Sequence, residues 1–149
     1  MRIRPMEMTD ADTVAVLAGQ LGYPSTADQV RQRLRHLQSM PPNMGYIAEA
    51  ANGTIAGWIH VRTDVGIESD PHATIDGLVV DERHRSQGVG ARLLAAAEQW
   101  VQEQGFVRID VSSNIVRTRA HAFYQRNGYE IVKTSYRLRK LLVIDSPPA

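Results

Sequence analysis

The sequence predicts a single α+β domain on a mixed central sheet, and three observations carry that expectation. Residues 45–51 and 54–63 read as strands joined by Asn52-Gly53, the strongest short hairpin signal. Residues 74–80, 90–104 and 106–111 read in order as strand, helix and strand, a length that implies a right-handed crossover between parallel strands. No repeat, linker or composition shift divides the 149 residues, which suffice to bury a core without covalent staples. One domain over residues 1–149 is therefore expected, with Asp145–Ala149, carrying Pro147-Pro148, as a flexible tail.

The elements follow in order. Ile3 between Arg2 and Arg4 marks a short alternating strand that Pro5 ends. Thr9 suits a helix cap, with Asp10 and Asp12 in the first turn and Val14, Leu17, Ala18 and Leu21 at helical spacing up to Gly22. Ser25 opens a second helix that aligns Val30, Leu34 and Leu37. Its arginines at 31, 33 and 35 suggest a solvated face more than a nucleic-acid-reading helix. Met40-Pro41-Pro42-Asn43 breaks the pattern before the hairpin, and Asp64–His72 is a polar loop. Beyond the crossover, residues 115–126 read as a helix stopped by Asn127-Gly128, and residues 129–134 and 136–142 as a final pair of strands.

Composition excludes several classes. The chain has no cysteine, so disulfides, zinc–thiolate sites and an acyl-cysteine intermediate are ruled out. A net charge of +1 argues against a dedicated nucleic-acid surface. No apolar run has the length of a membrane span or the form of a signal peptide, so a cytoplasmic protein without a membrane partner is expected. His60, His72, His84 and His121 lack metal-ligand spacing and read as structural or surface residues; no metal site is expected.

The chemistry concentrates in Thr74–Leu94, a strand, a polar turn and a glycine-punctuated helix start. Gly88 and Gly90 admit a ligand close to the backbone, and the first N–H groups of a helix have no internal acceptors, which suits phosphate. A Walker loop fails, because no Lys-Ser or Lys-Thr pair follows these glycines. A dinucleotide fingerprint fails at its third glycine, where Leu93 stands, although Asp110 imitates that motif's ribose-binding acid. The pattern [RQ]-x-x-G-x-[GA] is matched in full by Arg85-Ser86-Gln87-Gly88-Val89-Gly90.

That pattern resembles motif A of the GCN5-related N-acetyltransferases. Downstream, Asn114, Phe123-Tyr124 and Gly128-Tyr129 look like the motif B region of the same family, with a partial shift of register. The resemblance implies a sheet that splays between the strand ending at Val80 and the strand ending at Val111, flanked by about four helices. It implies acetyl-CoA as cosubstrate, with Leu78, Val79 and Val80 beside the acetyl and pantetheine groups and residues 85–91, through Ala91, holding the pyrophosphate. Asn114 belongs to the same cofactor set. A glycine inside the strand at Asp76-Gly77 independently suggests a bulge or a close backbone approach.

The implied reaction is direct transfer of the acetyl group to a primary amine. Tyr124 would protonate the departing thiolate, a backbone N–H near Leu78 would stabilise the oxyanion, and Asp76, Glu68 or water would take the amine's proton. The acids between Asp64 and Asp76 favour a small cationic acceptor. An acetyltransferase for protein N-termini or lysines, and an acyl-CoA-binding sensor without turnover, are the competing readings, and a homodimer is compatible with the sequence.

Overall fold

A computed structural model of the chain describes residues 1–144; the expected tail at 145–149 lies outside them. The chain divides into two compact units, Met1–Ser112 and the remainder from Ser113.

The first unit is a five-stranded sheet in the order β1-β2-β3-β4-β5. Strands β1 (Arg2–Pro5), β2 (Asn43–Glu49), β3 (Ile55–Asp64) and β4 (His72–Val80) pair antiparallel, and β5 (Ile109–Val111) joins β4 in parallel. The β2–β3 hairpin closes with a three-residue loop: Ala50 donates to the Thr54 carbonyl at 2.8 Å, and Gly53, at φ 84°, donates back to Ala50 at 2.9 Å. Asn-Gly correctly locates the turn, but the loop is one residue longer than a two-residue turn.

Alternation along β3 sorts the packing. A Cβ on Gly57 would meet Leu93 of α3 (Val89–Glu103), whereas Trp58 packs with Ile47 and the buried Ala11, Val14, Ala15 and Val30. These last residues come from α1 (Ala11–Leu21) and α2 (Ala27–Leu37), so α1 and α2 cover one face of the sheet and α3 the other. Ile47, Ile59, Leu93 and Leu94 are fully buried, each stabilising by roughly 1.5–3 kcal/mol relative to exposure.

The helix starts differ from expectation. A 3₁₀ turn at Met8–Asp10 precedes α1, and Asp10 rather than Thr9 binds the chain's free donor, accepting from the Glu7 N–H at 2.7 Å. Asp10 is held from the other side by two hydrogen bonds from Arg4, at 2.8 and 2.9 Å. Thr26, not Ser25, caps α2, in a reciprocal box with Gln29 at 3.0 and 3.1 Å.

In the second unit, α4 spans Thr118–Arg126. It begins later than residue 115 because Asn114 folds the intervening chain into a turn, taking the Val116 N–H on its side chain and the Arg117 N–H on its carbonyl, each at 3.0 Å. The expected strands at 129–134 and 136–142 do not form. Residues 130–144 are exposed and carry no ladder, and an alternating pattern becomes a strand only where a neighbour accepts its backbone hydrogen bonds.

Candidate active site

The parallel pairing of β4 with β5 covers only Ala73, Thr74 and Ile75, opposite Ile109, Asp110 and Val111. Among the described residues, that side of β4 has no partner strand from Asp76 to Val80, which is the expected splay. The Asp81 N–H donates to the Ala56 carbonyl of the β3 side at 2.7 Å. Backbone alternation then turns Val79 toward β3 and aims the N–H and C=O of Leu78 and Val80 into the opening. The Val80 carbonyl already receives Arg85 Nε at 3.4 Å from that side.

The turn after β4 is pinned at its start and open at its end. Asp81 is buried, caps the 3₁₀ turn Glu82–His84 through the Arg83 N–H, and binds the Arg83 guanidinium at 2.8 Å. Those hydrogen bonds from Arg83 hold its carboxyl down at about 2. Gln20 of α1 ties the same turn by accepting the Glu82 N–H at 3.1 Å. Residues 85–88 then run exposed, with Ser86 and Gly88 at φ 63° and 79°. A left-handed backbone is costly for a serine and suggests a local demand beyond chain reversal.

The first hydrogen bond of α3 runs from the Arg92 N–H to the Gly88 carbonyl at 3.2 Å, so the donors of Val89, Gly90 and Ala91 precede the helical ladder. Among the described residues, Gly88 and its chain neighbours apart, no heavy atom stands within 4 Å of the place a Cβ would take on Gly88. Exposed Arg85 and Gln87, free helix donors and an open glycine fit a pyrophosphate, and the open edge of β4 fits an amide-bearing arm laid beside it. Asp110, the imitation of a ribose-binding acid, is instead gripped by Arg108 at 2.7 and 3.0 Å.

The register of β3 and β4 slips between His60 and Val61, which pair with Gly77 and Ile75 and leave Asp76 as the bulged residue. Asp76 thereby leaves the ladder and meets Arg62 Nε at 2.7 Å and His60 Nδ1 at 3.8 Å. Arg62 also reaches Asp64 at 3.4 Å. The acids expected to attract a cation are thus partly neutralised by an arginine of the neighbouring strand. Glu68 lies in the exposed loop 65–71. The roles of Arg62 and His60 escape a reading of the sequence: alternation places them on the α1–α2 face, but only the register of the bulge brings Asp76 between them.

In the second unit, Tyr124 closes α4. Gly128 is left-handed at φ 92°, its N–H reaches the Gln125 carbonyl at 3.1 Å, and the Tyr129 N–H reaches the Tyr124 carbonyl at 3.0 Å. This is a Schellman stop, and its hydrophobic contact is the Tyr124–Tyr129 ring pair at 5.4 Å. Phe123 packs edge-on against Tyr124 at 5.2 Å. Burial pushes the Tyr124 phenol up to about 12, against a smaller opposing effect of Arg117, so the group stays protonated at neutral pH. The Asn114 side chain is engaged in its own turn through Val116.

An open β4 edge leading through a left-handed glycine into a helix start is a shape that fits a long phosphorylated molecule laid along one strand. Comparison with known proteins assigns the class. Residues 14–129 match the acetyltransferase (GNAT) family model, and the chain belongs to that family. It is 30% identical to the aminoalkylphosphonate N-acetyltransferase of Salmonella typhimurium, over 94% of this chain and 90% of that protein. It is 29% identical to the aminoglycoside N(6')-acetyltransferase type 1 of Stenotrophomonas maltophilia, over 83% and 84%. The fold superposes on AAC(6')-Iy in complex with the bisubstrate analogue CoA-S-monomethyl-acetylneamine with a TM-score of 0.82 and 23% identity, covering 95% of this chain and 98% of that one. The chain is an acetyl-CoA-dependent N-acetyltransferase, with acetyl-CoA as cosubstrate.

Proposed function

We propose that this enzyme acetylates the primary amine of a small cationic molecule by direct transfer. The observation that carries the reading is the pairing of an unpartnered β4 edge at Leu78–Val80 with the Asp76 carboxylate at its bulge. Acetyl-CoA supplies a thioester carbonyl; the chain does the rest. Leu78 and Val80 hold the pantetheine arm as a surrogate strand, with Val79, whose side chain is buried, keeping β4 in register. The donors of residues 85–91 (Arg85, Ser86, Gln87, Gly88, Val89, Gly90 and Ala91) hold the pyrophosphate.

The Leu78 N–H, aimed into the opening, stabilises the negative charge that develops on the carbonyl oxygen. Asp76 binds the acceptor's cationic nitrogen in exchange for part of its pairing with Arg62. Tyr124, a phenol held protonated by burial, donates to the departing sulfur. Two of the enzymes similar to this chain are named for small amines, an aminoglycoside and an aminoalkylphosphonate, which supports that acceptor class.

Release of free thiol from acetyl-CoA across a panel of amines tests the proposal. Acceptor-dependent release that falls about 10²-fold in Tyr124→Phe supports both the transfer and its acid. Tight acetyl-CoA binding without release by any small amine would overturn the acceptor class.

A further inference from the structure

His60 stands at the bulge, opposite Gly77, with a side chain only 16% exposed. From there it reaches a cavity of about 310 Å³ whose apolar wall includes Met6, Met8, Leu34, Leu37 and Met40. Its Nε2 lies 3.2 Å from Asn43 Oδ1. Asn43 has a fixed orientation, because its Nδ2 donates to the Leu37 and Pro41 carbonyls at 2.9 and 3.2 Å. The atom facing His60 is therefore an acceptor, and Nε2 must carry the imidazole hydrogen. Nδ1 is left as a bare lone pair.

Among the described residues Nδ1 has no hydrogen bond; Asp76 Oδ2 approaches it to 3.8 Å. That oxygen is already ion-paired with Arg62 Nε at 2.7 Å. Two acceptors thus face each other 3.8 Å apart, too far for a direct hydrogen bond, so a proton on Nδ1 would be held there by the charge of Asp76. The charged and titratable groups around His60 are Asp76 of β4, Arg62 of its own strand, and Glu7 on the cavity rim. Burial lowers the proton affinity of the ring, Asp76 opposes that and Arg62 adds to it, so the imidazole is neutral and ready to accept.

We propose that His60 is the proton acceptor of the amine site, with Asp76 binding the ammonium beside it and the methionine- and leucine-walled cavity receiving the amine's carbon body. An N–H bond of the substrate ammonium breaks, its electron pair stays on nitrogen as the nucleophile, and the proton bonds to Nδ1. Asp76 then stabilises the imidazolium, which returns its proton to water between turnovers. This assignment rests on the acetyl-transfer reading above and gives His60 the proton that the sequence left open among Asp76, Glu68 and water.

His60→Gln tests it, since the amide N–H can still donate to Asn43 while the base is removed. Acetyl transfer to neamine and to aminomethylphosphonate is measured against pH, with acetyl-CoA affinity measured separately by calorimetry. The expected result is a fall of about 10²-fold in kcat and loss of the acidic limb of the profile, with acetyl-CoA affinity unchanged. Retention of that limb at near-native rate overturns the proposal. Imidazole ¹⁵N NMR of the native protein gives a readout independent of turnover: the Nε2–H tautomer supports the proposal and the Nδ1–H tautomer overturns it. If the native enzyme acetylates neither amine nor any other small amine, the transfer reading fails, a result distinct from a wrong tautomer.

Discussion

The indole of Trp58 lies against Gly77: a Cβ built on that glycine would stand 2.8 Å from two carbons of the ring. The absence of a side chain at position 77 lets the ring of β3 close over β4 at the point where Asp76 leaves the ladder. Gly77→Ala should cost about 1–3 kcal/mol, as overpacking does in a filled core. Denaturant unfolding should show a lower midpoint, and acetyl-CoA affinity should fall with it, because the strained bulge leads directly into Leu78. An unchanged midpoint would mean the indole moves aside.

Asp76 and Glu68 are separated by structure as acids of the site. Asp76→Asn should lower kcat/KM for a cationic amine by about 10-fold or more, since it removes the carboxylate beside His60 and Arg62. Glu68→Gln, in the exposed loop, should change it less than about twofold. Steady-state kinetics on both variants decides, and a larger loss at Glu68 would relocate the acceptor site.

Tyr124 sets a limit on the basic side. A phenol held at about 12 should remain protonated well past pH 9, so the rate profile should show no basic limb that Tyr124→Phe removes below that pH. The linkage has the opposite sense from a depressed acid. The folded state favours the neutral phenol, so its contribution to stability is present below the ordinary value of about 10 and is lost as pH rises from about 10 to about 12. Alkaline unfolding of the native protein and Tyr124→Phe checks the sign.

Asp81 acts at the other end of the scale. Its carboxyl is held at about 2 by Arg83, so its stabilisation is present above the ordinary 3.8 and fades as pH falls from there to about 2. Arg83→Ala should lower stability throughout the range above 3.8, where the pair is intact, and so move the acid unfolding midpoint to higher pH. Circular dichroism during acid titration reads this directly.

Arg4 joins the first strand to the start of α1 through Asp10 and also binds Glu49 at 2.6 Å. Arg4→Ala leaves Asp10, only 6% exposed, without its cation. The expected loss is about 2–3 kcal/mol, or roughly 5–10 °C in Tm. The double variant Arg4→Ala with Asp10→Ala should recover part of it, because no buried charge is then stranded.

Where a local rule decides, the sequence speaks plainly. Gly22, Gly105 and Gly128 end three helices where the periodicity stops, Asn52-Gly53 marks the hairpin turn, and Asp76-Gly77 marks the bulge. Caps are less legible, because Thr9 and Ser25 are as suitable by type as Asp10 and Thr26, and the choice between neighbours depends on which oxygen the folded chain brings to a free N–H. The alternation at 129–142 resembles a strand pair equally well, yet alternation specifies a face and not a partner, and those residues carry no ladder.

The sequence by itself determined the family, and it marked residues 85–91 as the candidate anion-binding turn and Asp76 as the candidate carboxylate, because each is written in contiguous residues whose spacing is chemical information. Only the tertiary structure decided which backbone groups of Leu78–Val80 face the opening, and that His60, Asn43, Arg62 and Asp76 meet. Those four residues come from three strands. Their meeting depends on a register shift of one residue in the sheet, and register is fixed by the packing of whole faces, which no short stretch of sequence contains.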